Sequence, residues 1–178
     1  MLSRRRLTLP SRGRLQSGFA ALKPPLMSNV RPHVTRPIPQ LQFSLVWADS
    51  DMHEVVVYAR SAHFSGATSL YVAPGELADL AGSLSGFPSS SREDQRNFVL
   101  GQPDLASSGE VRGALYCRDS IGHVGVHIEM RCAPSEPNDK PESCAVLLRV
   151  VPSDLDRFVE ELRRLREQGQ SATLTNAA

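Results

Sequence analysis

The chain has 178 residues, of which 40% are hydrophobic and 22% are charged, a composition typical of one globular domain with short extensions. Its net charge of +1 hides an asymmetry: residues 1–40 carry eight Lys or Arg and no acid, so the remainder holds twelve basic against nineteen acidic residues. An acidic body argues against nucleic acid as the main partner, and no apolar run approaches the roughly 18 residues of a membrane-spanning helix.

We expect residues 1–40 to be a disordered basic arm, because prolines recur throughout this segment up to the first predicted strand. Three interpretations of the arm are open. Residues 3–5 resemble a twin-arginine export signal, although the apolar stretch of such a signal does not follow. The Arg- and Ser-rich composition resembles an organellar presequence. The third interpretation, which we favour, is an over-extended start with Met27 as the true first residue. We expect the body to be cytoplasmic, with organellar import as the alternative if the arm is a genuine presequence.

Alternating hydrophobic residues then predict three strands, at 41–48, 54–60 and 68–72. A helix follows, with Pro74 at its first position and Gly86 at its end. Residues 98–100 predict a short edge strand.

The strongest strand signal lies in residues 111–151. Val124 to Met130 alternates apolar and polar side chains, and residues 119–122 form a turn, so we expect Cys117 to lie opposite Val124. Pairing Ile128 with Leu148 places the apolar side chains of the next strand on the same inner face.

A second helix follows, for which Ser153 is the predicted capping residue. Its apolar stripe ends at Leu165, and residues 167–178 predict a disordered tail. The expected fold is therefore α+β, with one domain at 41–166 in the order βββ-α-ββββ-α. We expect one antiparallel sheet of six to seven strands with two helices packed on one face.

The opposite, outer face of this sheet carries the candidate recognition residues. In the expected register, Glu129 sits opposite Arg112 and His127 lies near Arg149. The face is either a recognition surface or an ordinary solvated sheet face whose opposite charges pair across strands. The candidate residues are Arg112, Tyr116, His127, Glu129 and Arg149.

Catalytic and metal chemistry have little support in the sequence. His123 and His127 are four positions apart, which on a strand separates them by about 13 Å and prevents them from sharing one zinc ion. The cluster of Asp49, Asp51 and His53 is typical of a turn. Since no phosphate loop or nucleophile elbow occurs, we expect no enzyme activity, no cofactor and no metal.

Three cysteines are too few for a disulfide framework, and their odd number would leave one unpaired. Cys132 and Cys144 flank a loop and could face each other across the base of a hairpin. A regulatory disulfide and a pair of free thiols are both open interpretations.

Residues 71–81, 122–130 and 150–158, taken together, resemble the WapI-type immunity proteins and related small bacterial families. The resemblance implies a half-exposed sheet, a helix opened by a Pro-Glu-Leu stretch and a closing helix. It also implies a function, the neutralisation of a toxin domain by direct binding.

The sequence therefore predicts a cytoplasmic protein-binding module whose partner is another protein, such as a basic toxin domain. One alternative is a small-ligand binder or enzyme that uses the outer sheet face. Another is a passive subunit of a larger assembly, joined through edge strands.

Overall fold

A computed structural model describes residues 37–89, 93–101, 108–134, 136 and 140–175 of the chain. The predicted basic arm lies outside the described residues up to position 36. The regular structure begins one residue earlier than predicted, at Gln40.

The described residues follow the order βββ-α-ββββ-α-β, which confirms the α+β class. The elements are β1 (Gln40–Ala48), β2 (His53–Arg60), β3 (Ser65–Val72), α1 (Glu76–Leu84), β4 (Gln95–Leu100), β5 (Glu110–Cys117), β6 (Val124–Arg131), β7 (Ser143–Val150), α2 (Pro152–Arg163) and β8 (Ser171–Thr175).

The strands form two antiparallel sheets of four, so the single sheet of six to seven strands predicted from the sequence is wrong. Sheet 1 has the order β3-β2-β1-β8 and sheet 2 the order β4-β5-β6-β7. The chain leaves sheet 1 after β3, builds all of sheet 2 and returns to sheet 1 with β8. The predicted disordered tail is therefore wrong at 171–175, since Ala172 and Leu174 are buried where β8 pairs with β1.

One hydrophobic core takes side chains from both sheets and both helices. The rings of Phe43 in β1 and Phe158 in α2 lie 5.8 Å apart and are tilted by 53°. The helices contact each other, while α2 also contacts β8 and α1 contacts β4. Because the core is shared, each sheet buries one face and leaves the other without a helix among the described residues.

The two helices begin differently from the sequence prediction. The predicted start of α1 at Pro74 is wrong, because the helix begins at Glu76. Gly75 precedes it with a φ of 95°, a left-handed conformation that favours glycine. The Glu76 carboxylate accepts a hydrogen bond of 2.9 Å from the backbone N–H of Ala73. In α2 the first residue is Pro152, whose ring suits that position, and the predicted Ser153 cap is wrong because Ser153 lies inside the helix.

The predicted hairpin register of sheet 2 is confirmed for β5 and β6, in which Cys117 lies opposite Val124. For β7 the predicted pairing of Ile128 with Leu148 is wrong, because Leu148 lies opposite Val126. The shift leaves Leu148 on the inner face, since the side-chain period of a strand is two. Alternation thus fixed the face of β7 but not its offset.

Strand β3 crosses the ends of β5, β6 and β7. The Thr68 hydroxyl donates to the Arg131 carbonyl at 3.0 Å, and the backbone N–H of Gly109 donates to the Ser69 carbonyl at 2.8 Å. These bonds join the edge of sheet 1 to one end of sheet 2.

The element order contains an internal repeat, βββαβ followed by βββαβ. Segments 65–84 and 143–162, each a strand followed by a helix, share identical residues at a constant offset. Val72 corresponds to Val150, and Pro74 corresponds to Pro152. The last strand of each repeat pairs with the first strand of the other, because β4 lies beside β5 and β8 beside β1.

Candidate functional site

The five predicted recognition residues lie on β5, β6 and β7 at positions whose side chains point away from the core. Their strand neighbours Val111, Leu115, Val126 and Leu148 are buried on the inner face. The outer face of sheet 2 therefore brings together all five residues, which are Arg112, Tyr116, His127, Glu129 and Arg149.

One row across this face contains Tyr116, Gly125 and Arg149, which are consecutive partners on the three strands. A β-carbon on Gly125 would stand 2.4 Å from Cζ of the Tyr116 ring. The far end of the ring therefore lies over the glycine, in the same row as the exposed Arg149.

The next row contains His127 between Ala114 and Leu147. Arg149 lies opposite Gly125 instead. The expectation that His127 sits near Arg149 is therefore met only in that the two residues are diagonal neighbours on adjacent strands. Nδ1 of His127 is 3.9 Å from Oε1 of Glu129, at the outer limit of an ion pair.

Arg112 lies directly opposite Glu129, as predicted, but its hydrogen bonds go elsewhere. Both Nε and Nη2 of Arg112 donate to the carboxylate of Glu110, two residues earlier on β5. The hydrogen bond from Arg112 holds the pKa of Glu110 below its ordinary value, and the same bond raises the pKa of Arg112. Glu110 is buried, so it anchors the arginine at one border of the face.

Two aliphatic side chains also lie on this face, and both are exposed to solvent. Val99 on β4 is 56% exposed and lies opposite Arg112, and Leu147 on β7 is 47% exposed and lies opposite His127. Four pockets bordered by described residues have linings that include none of the five candidate residues. The face is a mixed surface of aromatic, aliphatic, histidine and charged side chains.

Sequence reasoning missed Glu110 and Gly125. Glu110 has the strand parity of the outer face but is buried, and it lines a pocket together with Ala133, Pro134 and Pro141. The signal for Gly125 was present, since a glycine opposite an aromatic residue in a hairpin leaves room for the ring.

The turn between β5 and β6 holds a separate polar cluster. Nδ1 of His123 lies 2.6 Å from Oδ2 of Asp119, and this hydrogen bond lowers the pKa of the Asp119 carboxyl. Oδ1 of Asp119 accepts from the backbone N–H groups of Ile121 and His123. The Cys117 thiol donates to the Asp119 carbonyl at 3.4 Å. Because the thiol faces a backbone carbonyl, the cluster stabilises the turn rather than forming a nucleophile and base.

The other residues considered from the sequence take structural positions. The Asp49 carboxylate accepts from the backbone N–H groups of Asp51 and Met52, each at 2.8 Å, which is the geometry of a plain turn. In the described part of the chain, no three His, Cys, Asp or Glu side chains are grouped to hold a metal ion. Nor is any helix there long and apolar enough to cross a membrane.

Both flanking cysteines of the β6–β7 loop are free thiols and half-buried. Cys132 and Cys144 line one pocket at the crossing of β3 with sheet 2. The sequence allowed the two cysteines to face each other across the hairpin base, but Cys144 lies opposite Met130 and Cys132 lies opposite Glu142.

Comparison with protein-family models, curated proteins and solved structures finds no match for this chain.

Proposed function

We propose that this chain is a protein-binding module whose contact surface is the outer face of sheet 2. The observation that carries the proposal is the juxtaposition of Tyr116, Leu147 and Arg149 on a face that no described helix covers. Tyrosine and arginine are enriched among the residues that dominate binding energy, and an exposed leucine beside them adds apolar contact area.

The free charges of the face indicate the chemistry of the partner. Arg112 forms an ion pair with Glu110, whereas Arg149 makes no ion pair or hydrogen bond with a described side chain. An unpaired guanidinium next to an aromatic ring favours a bidentate contact with a carboxylate. We therefore expect the partner to present an acidic side chain beside an apolar one.

The positions of the four pockets favour a protein over a small ligand as the partner of this face. Small-molecule sites are concave and bury most of the ligand, and the described pockets lie away from Tyr116 and His127. For this reason the alternative of a small-ligand site on the outer face has weaker support.

The narrower hypothesis of an immunity protein adds that the partner is a basic toxin domain. Such a partner would meet the acidic turn of Asp49 and Asp51 more readily than Arg149. The two hypotheses consequently predict sensitivity to different substitutions, which makes them separable by experiment.

The test places a photo-crosslinking residue in the full chain, either at Leu147 or at Ser44 on the outer face of sheet 1. We expect one partner to be captured from Leu147 and not from Ser44, with capture lost in Arg149→Glu. Equal capture from both positions contradicts the proposal. Capture that survives Arg149→Glu but is lost in an Asp49→Lys, Asp51→Lys double variant favours the toxin hypothesis through the other surface.

A further inference from the structure

Three sulfur-bearing side chains line one small pocket where β3 crosses sheet 2. They are Met130 at the end of β6, Cys132 just after it and Cys144 at the start of β7. The pocket has a volume of about 150 Å³ and is closed on one side by the backbone of Gly66 and Ala67.

Strand pairing places the three sulfur-bearing residues beside one another. Met130 lies directly opposite Cys144. The pairing continues past the end of β6, since the backbone N–H of Cys132 donates to the Glu142 carbonyl at 2.9 Å. Met130, Cys132 and Cys144 thus share one face of the hairpin, and the two cysteines are diagonal neighbours across it.

The absence of a side chain at Gly66 creates the space for these sulfurs. A β-carbon there would lie 3.2 Å from Sγ of Cys144 and 3.3 Å from Cε of Met130. Sγ of Cys132 contacts the next residue, donating to the Ala67 carbonyl at 3.3 Å. The same two residues of β3 therefore touch all three sulfur-bearing side chains.

The donor set has a defined chemical preference. Hard cations need several oxygen ligands, and the pocket lining carries one carboxylate, Glu142. Zinc sites commonly use four His, Cys or acidic ligands, a grouping that the described residues do not provide here. Two thiolates and one thioether are soft donors, which select Cu(I) among biological metal ions. We propose that this pocket binds one Cu(I) ion through Cys132, Cys144 and Met130.

Binding releases two protons to solvent, because each cysteine coordinates as the thiolate. The Cys132 thiol gives up its hydrogen bond to Ala67 when it turns toward the ion. Both cysteines are half-buried, so the ion can reach them from solvent while β3 shields the site. No oxidation change is involved, and the site is independent of the outer face of sheet 2.

The test is an anaerobic titration of the reduced full chain with Cu(I) in the presence of a chromogenic Cu(I) chelator. We expect one equivalent to be withdrawn from the chelator. Cys132→Ser and Cys144→Ser should each weaken binding by about 100-fold or more, and Met130→Leu by about 10-fold. Cys117→Ser is the matched control and should bind like the unaltered chain. Cys117 pairs with Val124 at the start of β6, at the other end of that strand from Met130.

Two results would overturn the proposal. One is a Cu(I) affinity that is the same in Cys132→Ser and in the unaltered chain. The other is a substoichiometric uptake that Cys117→Ser reduces as much as Cys144→Ser. Thermal unfolding of each variant, measured without metal, separates a lost ligand from a lost fold.

Discussion

The ring of Tyr116 covers Gly125 on the outer face of sheet 2, and Phe98 covers Gly113 in the same way on the inner face. A β-carbon on Gly113 would stand 2.0 Å from Cε1 of Phe98. The two glycines serve opposite sides of one sheet: Gly125 shapes the exposed surface, whereas Gly113 makes room for a ring that packs against the core.

This relationship predicts different costs for the same substitution at the two glycines. In Gly125→Ala the far end of the Tyr116 side chain swings into solvent, so we expect a loss of less than about 0.5 kcal/mol in the free energy of unfolding. In Gly113→Ala the Phe98 ring is pushed into packed side chains, at a cost of about 1–3 kcal/mol. Urea unfolding of both variants measures the difference, and a larger loss for Gly125→Ala would contradict the assignment of the faces.

Neighbouring leucines of β7 test the same assignment more severely. Leu148 is 1% exposed and Leu147 is 47% exposed. Leu148→Asp buries an uncompensated carboxylate and should destabilise the protein by more than about 4 kcal/mol, enough to unfold it. Leu147→Asp should stay within about 0.5 kcal/mol of the unaltered chain while it weakens partner binding. Circular dichroism during urea unfolding distinguishes these outcomes; a folded Leu148→Asp variant would show that the faces are reversed.

The buried carboxylate of Glu110 makes the free energy of unfolding depend on pH in the acidic range. Its folded-state pKa is lowered from the ordinary value of 4.5, chiefly by the hydrogen bond from Arg112. The stabilising contribution is therefore complete above pH 4.5 and is lost as the pH falls through the lowered pKa. We expect Glu110→Gln to be less stable than the unaltered chain at neutral pH and the two to converge in acid. Thermal unfolding at a series of pH values measures this, and parallel curves would refute it.

Strand β8 should contribute to stability although its sequence is mostly polar. Leu174 is 1% exposed in the core, whereas Thr173 is half-buried on the outer side. Leu174→Ala should cost about 2–4 kcal/mol, and Thr173→Ala, the matched control, should cost much less. If chemical denaturation gives equal values for the two variants, β8 is not part of the cooperative fold.

Local patterns predicted the hairpin of β5 and β6 well. The turn at 119–122 fixes the offset between the strands, and the alternation around Val126 fixes the face, so both parts of the register follow from neighbouring residues. For β7 the long loop after Cys132 leaves the offset undetermined, and only the parity of Leu148 could be predicted.

Pairings between distant segments could not be predicted in this way. Residues 171–175 are polar at every second position, and their partner β1 lies at the other end of the domain. The division into two sheets depends on that pairing. A signal was available in the internal repeat, because Pro74 and Leu77 recur as Pro152 and Leu155 at the same offset.

The candidate face was predicted as a set of residues, but its contacts were not. Alternation places Arg112 and Glu129 on one side, and the structure confirms that they are opposite each other. The preference of Arg112 for Glu110 depends on the burial of that carboxylate, which strand periodicity does not encode.

The exchange of final strands between the repeats has a consequence for chain connectivity. Gln40 pairs with Thr175, so the first and last strands end side by side and a short linker could join them. New ends placed between Leu84 and Gln95 would give a circular permutant in which each sheet comes from one unbroken segment, β4 to β7 and then β8 to β3. Such a chain keeps every strand pairing but shortens the separation of β1 from β8, and we expect it to fold faster than the natural order.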